Sequence, residues 1–325
     1  MNRRIPRLGD ERGQTLTLFA IGLVALVGMV GLVIDGGDTF AQRRGQQNVA
    51  DLAAMAGAYA YISTPGDHAT RAAAATAAAN TIATQNGFTT ANGTAVTVTV
   101  ASALRRATVQ VDVARPHRNY FAGVLGMPTW GVSTTATALT GAPNAAIGAM
   151  PLIFNKRAFN DDGYSINPPG MLYNEPDPGS EDVPQDHTQF NWTVFCTANG
   201  NPCNANSNTV RDIIEGHGMS TVVNLGDDIG PLNAGSHTTL FNALEANSMG
   251  TTFPVAIVND EGEMLGWAMF QLLTSEGASE KVLGGTFIGP INHTALTIDQ
   301  SSDACPPSNP ACGGNYGDWV VKLIN

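Results

Sequence analysis

Charged residues are scarce in this chain, and the basic ones are the scarcer kind. Only 13% of the 325 residues are charged, with 16 Lys and Arg against 27 Asp and Glu, so the net charge is −11. Proteins that bind nucleic acid through its phosphates need a basic surface. Because the few basic residues are concentrated early in the chain, nucleic acid is not expected as a partner of the rest.

Sequence motifs of known catalytic centres are also missing. The six histidines form no H-E-x-x-H, no close His-x-His and no H-x-E, and the segment around Ser220 lacks the second glycine of a nucleophile elbow. A triad of Ser220, His237 and one of the many Asp residues can be assembled, but any chain with six histidines permits this. We therefore predict no catalytic residue and no cofactor, with a surface-anchored hydrolase as the alternative.

Short acidic loops are the remaining candidates for a metal site. The loops at 160–163 and 227–230 offer carboxylate and amide oxygens, the ligands that calcium prefers. Neither loop fits the EF-hand pattern, and Asp and Asn commonly form turns without a ligand. No metal site is predicted, and calcium binding is left open.

The chain has only four cysteines, in two pairs with the same spacing of six intervening residues: Cys196, Cys203, Cys305 and Cys312. Structural zinc sites usually use pairs of cysteines that are roughly two to four positions apart in the sequence, and no such pair is present. Two local disulfides, Cys196–Cys203 and Cys305–Cys312, are therefore the first expectation, as in exported proteins. Zinc is the alternative.

One long apolar segment dominates the N-terminal region of the chain. No charged residue occurs from Thr15 to Ile34, and twenty helical residues span about 30 Å, the thickness of a bilayer's hydrocarbon core. Four arginines precede the segment, and Asp35 and Asp38 follow it. The positive-inside rule then predicts a cytoplasmic tail at 1–14, an anchor at 15–35 and a periplasmic or extracellular remainder.

A cleaved signal peptide is the alternative to an anchor. Its apolar core is usually about 7–15 residues long and ends at a small-residue cleavage site. The segment here is longer, and Asp35-Gly36-Gly37-Asp38 with a continuing helical pattern follows it. We therefore predict an uncleaved, single-pass anchor in the cell membrane, with a hinge at Gly36-Gly37 because glycine weakens a helix.

The same region resembles the TadE/TadG-like family of Flp (Tad) pilus assembly. The resemblance rests on Arg12-Gly13-Gln14, the apolar span that closes on Val33-Ile34-Asp35-Gly36-Gly37, then Arg43-Arg44, and the Ala-rich block from Gln47 to Ala58. It implies a non-enzymatic, membrane-anchored component of a Tad/Flp pilus assembly or secretion apparatus. The implied partners are inner-membrane Tad/Flp proteins and the lipid bilayer.

The helical stem outside the membrane is the predicted contact for these partners. Its small residues would let another helix approach closely, and we take Asp51, Ala54 and Gly57 as the interaction residues. A solvated or salt-bridged Asp51 is the alternative for that residue. A second helix is predicted from Thr64, as N-cap, to about Gln85, where Asn86-Gly87 ends it.

Beyond residue 94 the hydrophobic period changes from helical to two. Strands are predicted at 95–100, 107–113 and 130–139, with a short helix from Asn119 to Leu125. Two helices on a small antiparallel sheet resemble pilins at the level of fold. Residues 36–140 would form this unit and 141–149 a linker.

The remainder, 150–325, is predicted to be an exported, mainly β domain. Strands are expected at 253–258, 265–273 and 282–288, with short helices near 208–215 and 240–246, and Trp319 to Ile324 should close the same sheet. The fold class is therefore α+β. A carbohydrate-binding adhesin is a weaker alternative, resting on four tryptophans, Trp130, Trp192, Trp267 and Trp319, which we expect in the core.

Overall fold

The N-terminal helix is a single element more than twice as long as the predicted anchor. In the computed structural model, α1 runs from Arg12 to Ser63 without a break, a length of roughly 80 Å. Its apolar residues from Leu16 to Ile34 are largely exposed, whereas many later residues are buried. It is the one helix among the described residues that is long and apolar enough to cross a membrane.

The structure describes residues 12–103, 106–160, 163–176, 182–196, 206–225, 227, 229–232, 237–289, 295–298, 316 and 319–324. Within these ranges, the predicted hinge at Gly36-Gly37 is wrong, because the helix continues through both glycines. Asp35 before them contacts a turn at Ala122, and Gln42 after them contacts Arg115 of the following sheet, so both sides of this weak point are held.

The second helix, α2, spans His68–Gln85 and packs against the later half of α1. Its N-cap is Asp67, whose carboxylate accepts the backbone N–H of Thr70 at 2.9 Å. The predicted cap at Thr64 is wrong, since Thr64 donates its hydroxyl to Ala60 O and so completes the end of α1. The predicted end at Asn86-Gly87 is confirmed, with Gly87 at φ +81°.

The two helices cover one face of a four-stranded antiparallel sheet. Its order is β1-β2-β3-β13, formed by Ala95–Ala103, Arg106–Arg118, Thr129–Gly141 and Val320–Ile324. Alternating valines of β2, Val109, Val111 and Val113, are fully buried in one cluster with the stem alanines. The segment between β2 and β3 is a series of hydrogen-bonded turns, so the helix predicted at 119–125 is wrong.

The last strand does not join the sheet that the sequence predicted. Val320–Ile324 pairs with β3, from Val320 beside Gly141 to Ile324 beside Thr137. The chain therefore returns to the N-terminal sheet, and buried Val321 belongs to the same core as the stem helices. A short alternating strand fits either sheet by its pattern, and the free edge of β3 decides its position.

The C-terminal half is mainly β, as predicted. A six-stranded sheet has the order β6-β11-β10-β9-β5-β7, and a small sheet has the order β12-β4-β8. In chain order these strands are β4 (Ala145–Ala146), β5 (Leu152–Asn155), β6 (Met171–Asn174), β7 (Phe190–Trp192), β8 (Val223–Asn224), β9 (Thr252–Val258), β10 (Met264–Glu276), β11 (Val282–Ile288) and β12 (Leu296–Thr297).

Two short helices and two apolar clusters complete this half. The helices are α3 (Ser207–Glu215) and α4 (Thr238–Ser248), and they pack on one face of the large sheet with its aromatic residues. The opposite face carries Ile153 and Trp267 and also contacts Leu139 of β3 and Val320 of β13. The α+β class with a mainly β second half is confirmed, while the boundary at 141–149, which includes β4, stays a prediction.

Candidate functional site

A carboxylate on α1 binds the turn between β2 and β3. Asp35 is fully buried, and its side chain accepts three backbone N–H groups, from Tyr120 at 2.9 Å, Phe121 at 2.9 Å and Ala122 at 2.7 Å. An ionised carboxylate offers about four acceptor positions, so consecutive amides can converge on it. We call this arrangement the Asp35 clamp. It fixes the turn at the point where the apolar half of α1 ends.

An aromatic side chain packs beside the clamp. Phe121 lies over Gly31, so closely that a Cβ atom on Gly31 would stand 2.5 Å from the Phe121 Cβ. Only glycine leaves this space at position 31. The clamp therefore combines a polar contact at Asp35 with a steric contact at Gly31, which lies about a helical turn earlier on α1.

Polar side chains extend the junction along α1. Gln42 donates to Arg115 O at 3.0 Å and to Gln46 Oε1 at 2.9 Å, and its own side-chain oxygen lies 3.0 Å from His117 Nδ1. Since that oxygen can only accept, His117 Nδ1 carries the proton. His117 Nε2 faces Asp38 Oδ2 at 3.8 Å.

Gln46 is the deepest member of this network. It is fully buried, and its amide group donates to Val113 O on β2 and to Val132 O on β3, both at 3.1 Å. One side chain thus connects the helix to two strands. With the clamp, it holds the stem and the sheet together as a continuous unit.

The predicted interaction residues of the stem face different surroundings. Asp51 is half-buried and accepts a hydrogen bond from the Gln47 side chain at 2.8 Å. Ala54 is fully buried, and a Cβ on Gly57 would stand 2.9 Å from Val109 and 3.1 Å from Ala75 O. The face of Ala54 and Gly57 that was predicted for a partner helix is therefore covered by the chain's own α2 and β2.

A different face of the stem is open. Leu52, Met55 and Tyr59 recur at helical spacing and are 54%, 37% and 57% exposed. These three residues, which we call the exposed stripe, form an apolar surface of the stem that described segments of the chain leave open, and Phe40, earlier on α1, is exposed as well. The small residues were predicted as the contact instead, because a sequence pattern does not show which face α2 covers.

The clamp was also missed, although its signal was present. Asp35 follows an uncharged run directly, and it was interpreted only as a charge at the membrane boundary.

The N-terminal region of the chain matches a protein family. Residues 13–60 match the family "Putative Flp pilus-assembly TadE/G-like". The resemblance expected from the N-terminal sequence is confirmed for this segment.

The TadE/G-like segment coincides with nearly all of α1 and includes Asp35, Gln46 and the exposed stripe. It ends before α2, so the match describes the helix and not the sheet on which the helix packs. It supports a component of a Tad pilus. No curated protein and no solved structure matches the chain, so the likeness to pilins stays a prediction.

Outside the TadE/G-like segment, the residues of the suggested triad lie in different settings. His237 is 2% exposed, and its Nδ1 lies 2.6 Å from Glu175 Oε1, an atom that also accepts the indole N–H of Trp192. Ser220 is exposed and lines a surface cavity of about 260 Å³ together with Asp212. The partner that the structure gives to His237 is therefore Glu175.

The remaining predicted sites are only partly described. Cys196 is buried and is not a free thiol, but Cys203, Cys305 and Cys312 lie outside the described residues, so neither disulfide pairing is tested. Residues 161–162 and 228 of the two acidic loops lie outside them as well. Of the tryptophans proposed for sugar binding, Trp192 and Trp267 are buried in the core.

Proposed function

We propose that this chain is a non-enzymatic, single-pass membrane component of a Tad/Flp-type pilus assembly or secretion apparatus. Residues 1–14 are cytoplasmic, residues 15–35 cross the membrane, and the sheets lie on the outer side of that membrane. The observation that carries the proposal is the coincidence of the family match, 13–60, with α1, Arg12–Ser63.

The division of α1 into two halves supports this role. The half before Asp35 exposes nearly all of its apolar residues, as a lipid-embedded helix does, and the half after it packs on a sheet. Such a helix transmits any position fixed in the membrane to the folded domain outside. That is a mechanical property, and it requires no catalytic group.

Topology is tested with a reporter that is active only outside the cytoplasm, fused after Asn325. We expect activity from this fusion, and N-terminal sequencing of the membrane-extracted protein should recover residues 1–14. A mature protein that begins beyond Asp35 would contradict the anchor and make the segment a signal peptide.

Partner binding is tested on the exposed stripe. Leu52→Glu and Tyr59→Glu place charges on a surface that is open in the structure, so we expect weaker co-purification with Tad/Flp inner-membrane proteins and an unchanged thermal midpoint. Leu273→Glu, at an exposed position of the other half, is the matched control. Full co-purification of both stripe variants would show that partners bind elsewhere.

The test also addresses the hydrolase alternative. His237→Gln and Ser220→Ala should leave assembly unchanged under our proposal. A defect confined to these two variants, with normal assembly by the stripe variants, would favour an anchored enzyme.

A further inference from the structure

We propose that the turn between β2 and β3, residues 119–127, inserts apolar side chains into the lipid beside α1 and forms a second membrane contact. We call these residues the lipid turn. The inference rests on the membrane anchoring proposed above. The lipid turn contacts the interfacial region of the leaflet that faces the folded domain, where headgroups meet acyl chains.

The lipid turn exposes an unusual amount of apolar surface. Val124 is 85% exposed and Leu125 is 70% exposed, and the turn also presents Tyr120, Phe121 and Met127. No Asp, Glu, Lys or Arg occurs from Asn119 to Pro128. A contiguous apolar patch of this kind on a soluble surface marks a protein or membrane contact.

Of a protein contact and a membrane contact, the position of the turn indicates the membrane contact. Phe121 packs on Gly31, four residues and about 6 Å before Asp35 on the membrane side of the helix. The turn thus lies against the end of the uncharged span, where Val33 is 74% exposed. If α1 crosses the bilayer, the turn reaches the same depth, and its apolar surface continues the lipid-facing surface of the helix.

The backbone of the turn is suited to a low-dielectric environment. The Asp35 carboxylate accepts the N–H groups of residues 120–122, and internal bonds use those of Val124, Leu125 and Gly126, each at 3.1 Å. Asn119 closes the turn by donating its side-chain amide to Met127 O at 2.8 Å. Satisfied backbone groups reduce the cost of removing a turn from water.

The flanking residues match an interfacial position. Tyr120 is 66% exposed, and Trp130 is half-buried at the start of β3. Tyr and Trp favour the headgroup level, where one end of the ring is apolar and the other is wet. Arg118, exposed just before the turn, is placed to approach lipid phosphates.

The experiment reconstitutes the full chain into phosphatidylcholine vesicles whose acyl chains carry bromine, a quencher of tryptophan emission. One tryptophan is added at a time, and the emission of the parent chain is subtracted. Val124→Trp probes the lipid turn, Val33→Trp probes the anchor, and Val222→Trp is an exposed control in the C-terminal half. Leu125→Trp provides a second probe of the turn should the first variant misfold.

We expect brominated lipid to reduce the added emission at position 124 by an amount comparable to that at position 33, with no reduction at position 222. Quenching at 33 without quenching at 124 or 125 overturns the lipid turn and leaves the anchor intact. Absence of quenching at 33 instead overturns the anchor itself. Quenching at 124 that disappears as the protein is concentrated in the membrane assigns the turn to a second copy of the chain and also overturns the inference.

Discussion

Asp35 Oδ2 accepts the backbone N–H of Ala122 at 2.7 Å, a contact between residues 87 positions apart in the chain. It joins the end of the apolar half of α1 to the turn between β2 and β3. Through this contact, and through Gln46 further along the helix, the position of α1 determines the position of the sheet.

The first prediction concerns the Asp35 clamp. Asp35→Asn replaces one acceptor oxygen with an NH₂ group that faces N–H donors, so the turn should open more often. We expect faster hydrogen–deuterium exchange at the amides of 120–122 in the full chain. Asp38→Asn is the control, because the Asp38 side chain is 55% exposed and only approaches His117. Equal exchange in the two variants would contradict a role for the carboxylate.

The second prediction concerns the buried amide of the junction. Gln46→Leu removes the amide that donates to Val113 O and Val132 O, and the loss of these two buried hydrogen bonds should lower the free energy of unfolding by about 1–3 kcal/mol. Gln47→Leu, at the next position, breaks one part-buried and one exposed hydrogen bond and should change this free energy by less than about 0.5 kcal/mol. Chemical unfolding in detergent measures both. Similar losses would mean that the two strand contacts contribute little.

The third prediction separates packing from partner binding in the stem. Gly57→Leu places side-chain atoms where Val109 and Ala75 already lie, so overpacking should lower the free energy of unfolding by about 1–3 kcal/mol. Gly45→Ala, in the same helix with open space around it, should raise it by about 0.5–1 kcal/mol. A Gly57→Leu protein that unfolds like the parent would show that this face is free after all.

The fourth prediction concerns acid stability. The pKa of Asp260 is lowered, first by the side-chain hydrogen bond from Asn155 and then by that from Arg157. The unfolded chain therefore binds more protons than the folded one near pH 4. The stabilisation from this group is present above its unfolded pKa and is lost as pH falls through its lowered folded value.

Asp260→Asn removes the titrating group. The denaturant concentration at the unfolding midpoint of this variant should therefore fall less steeply with acidification than that of the parent protein. Denaturant unfolding at a series of pH values below neutrality measures the slopes. Parallel curves for the two proteins would show that Asp260 titrates alike in both states.

The fifth prediction concerns the cysteines. Non-reducing peptide mapping should recover Cys196–Cys203 and Cys305–Cys312, and each short loop should add about 2–3 kcal/mol in the chain-entropy model. Four free thiols in the native protein would contradict both the pairing and the exported location.

The N-terminal sequence by itself determined the long helix, the family resemblance and the helical hairpin with its sheet. These follow from local patterns, namely an uncharged run with basic flanks, helical spacing, and alternating valines whose period matches one buried strand face. The predicted strands at 95–100, 107–113 and 130–139 correspond to β1, β2 and β3 for the same reason.

Only the tertiary structure decided which surfaces these elements bury. Two glycines should weaken a helix, yet α1 continues because Asp35 binds the turn between β2 and β3 on one side of them and Gln42 binds β2 on the other. The apolar residues within 119–125 recur at helical spacing. The N–H groups of 120–122, however, donate to a carboxylate 85–87 positions away in the chain, and the segment forms a short turn. The final strand pairs with β3 because an open edge lies there. Such long-range contacts leave no local pattern, since each depends on which groups the folded chain brings within a few ångströms.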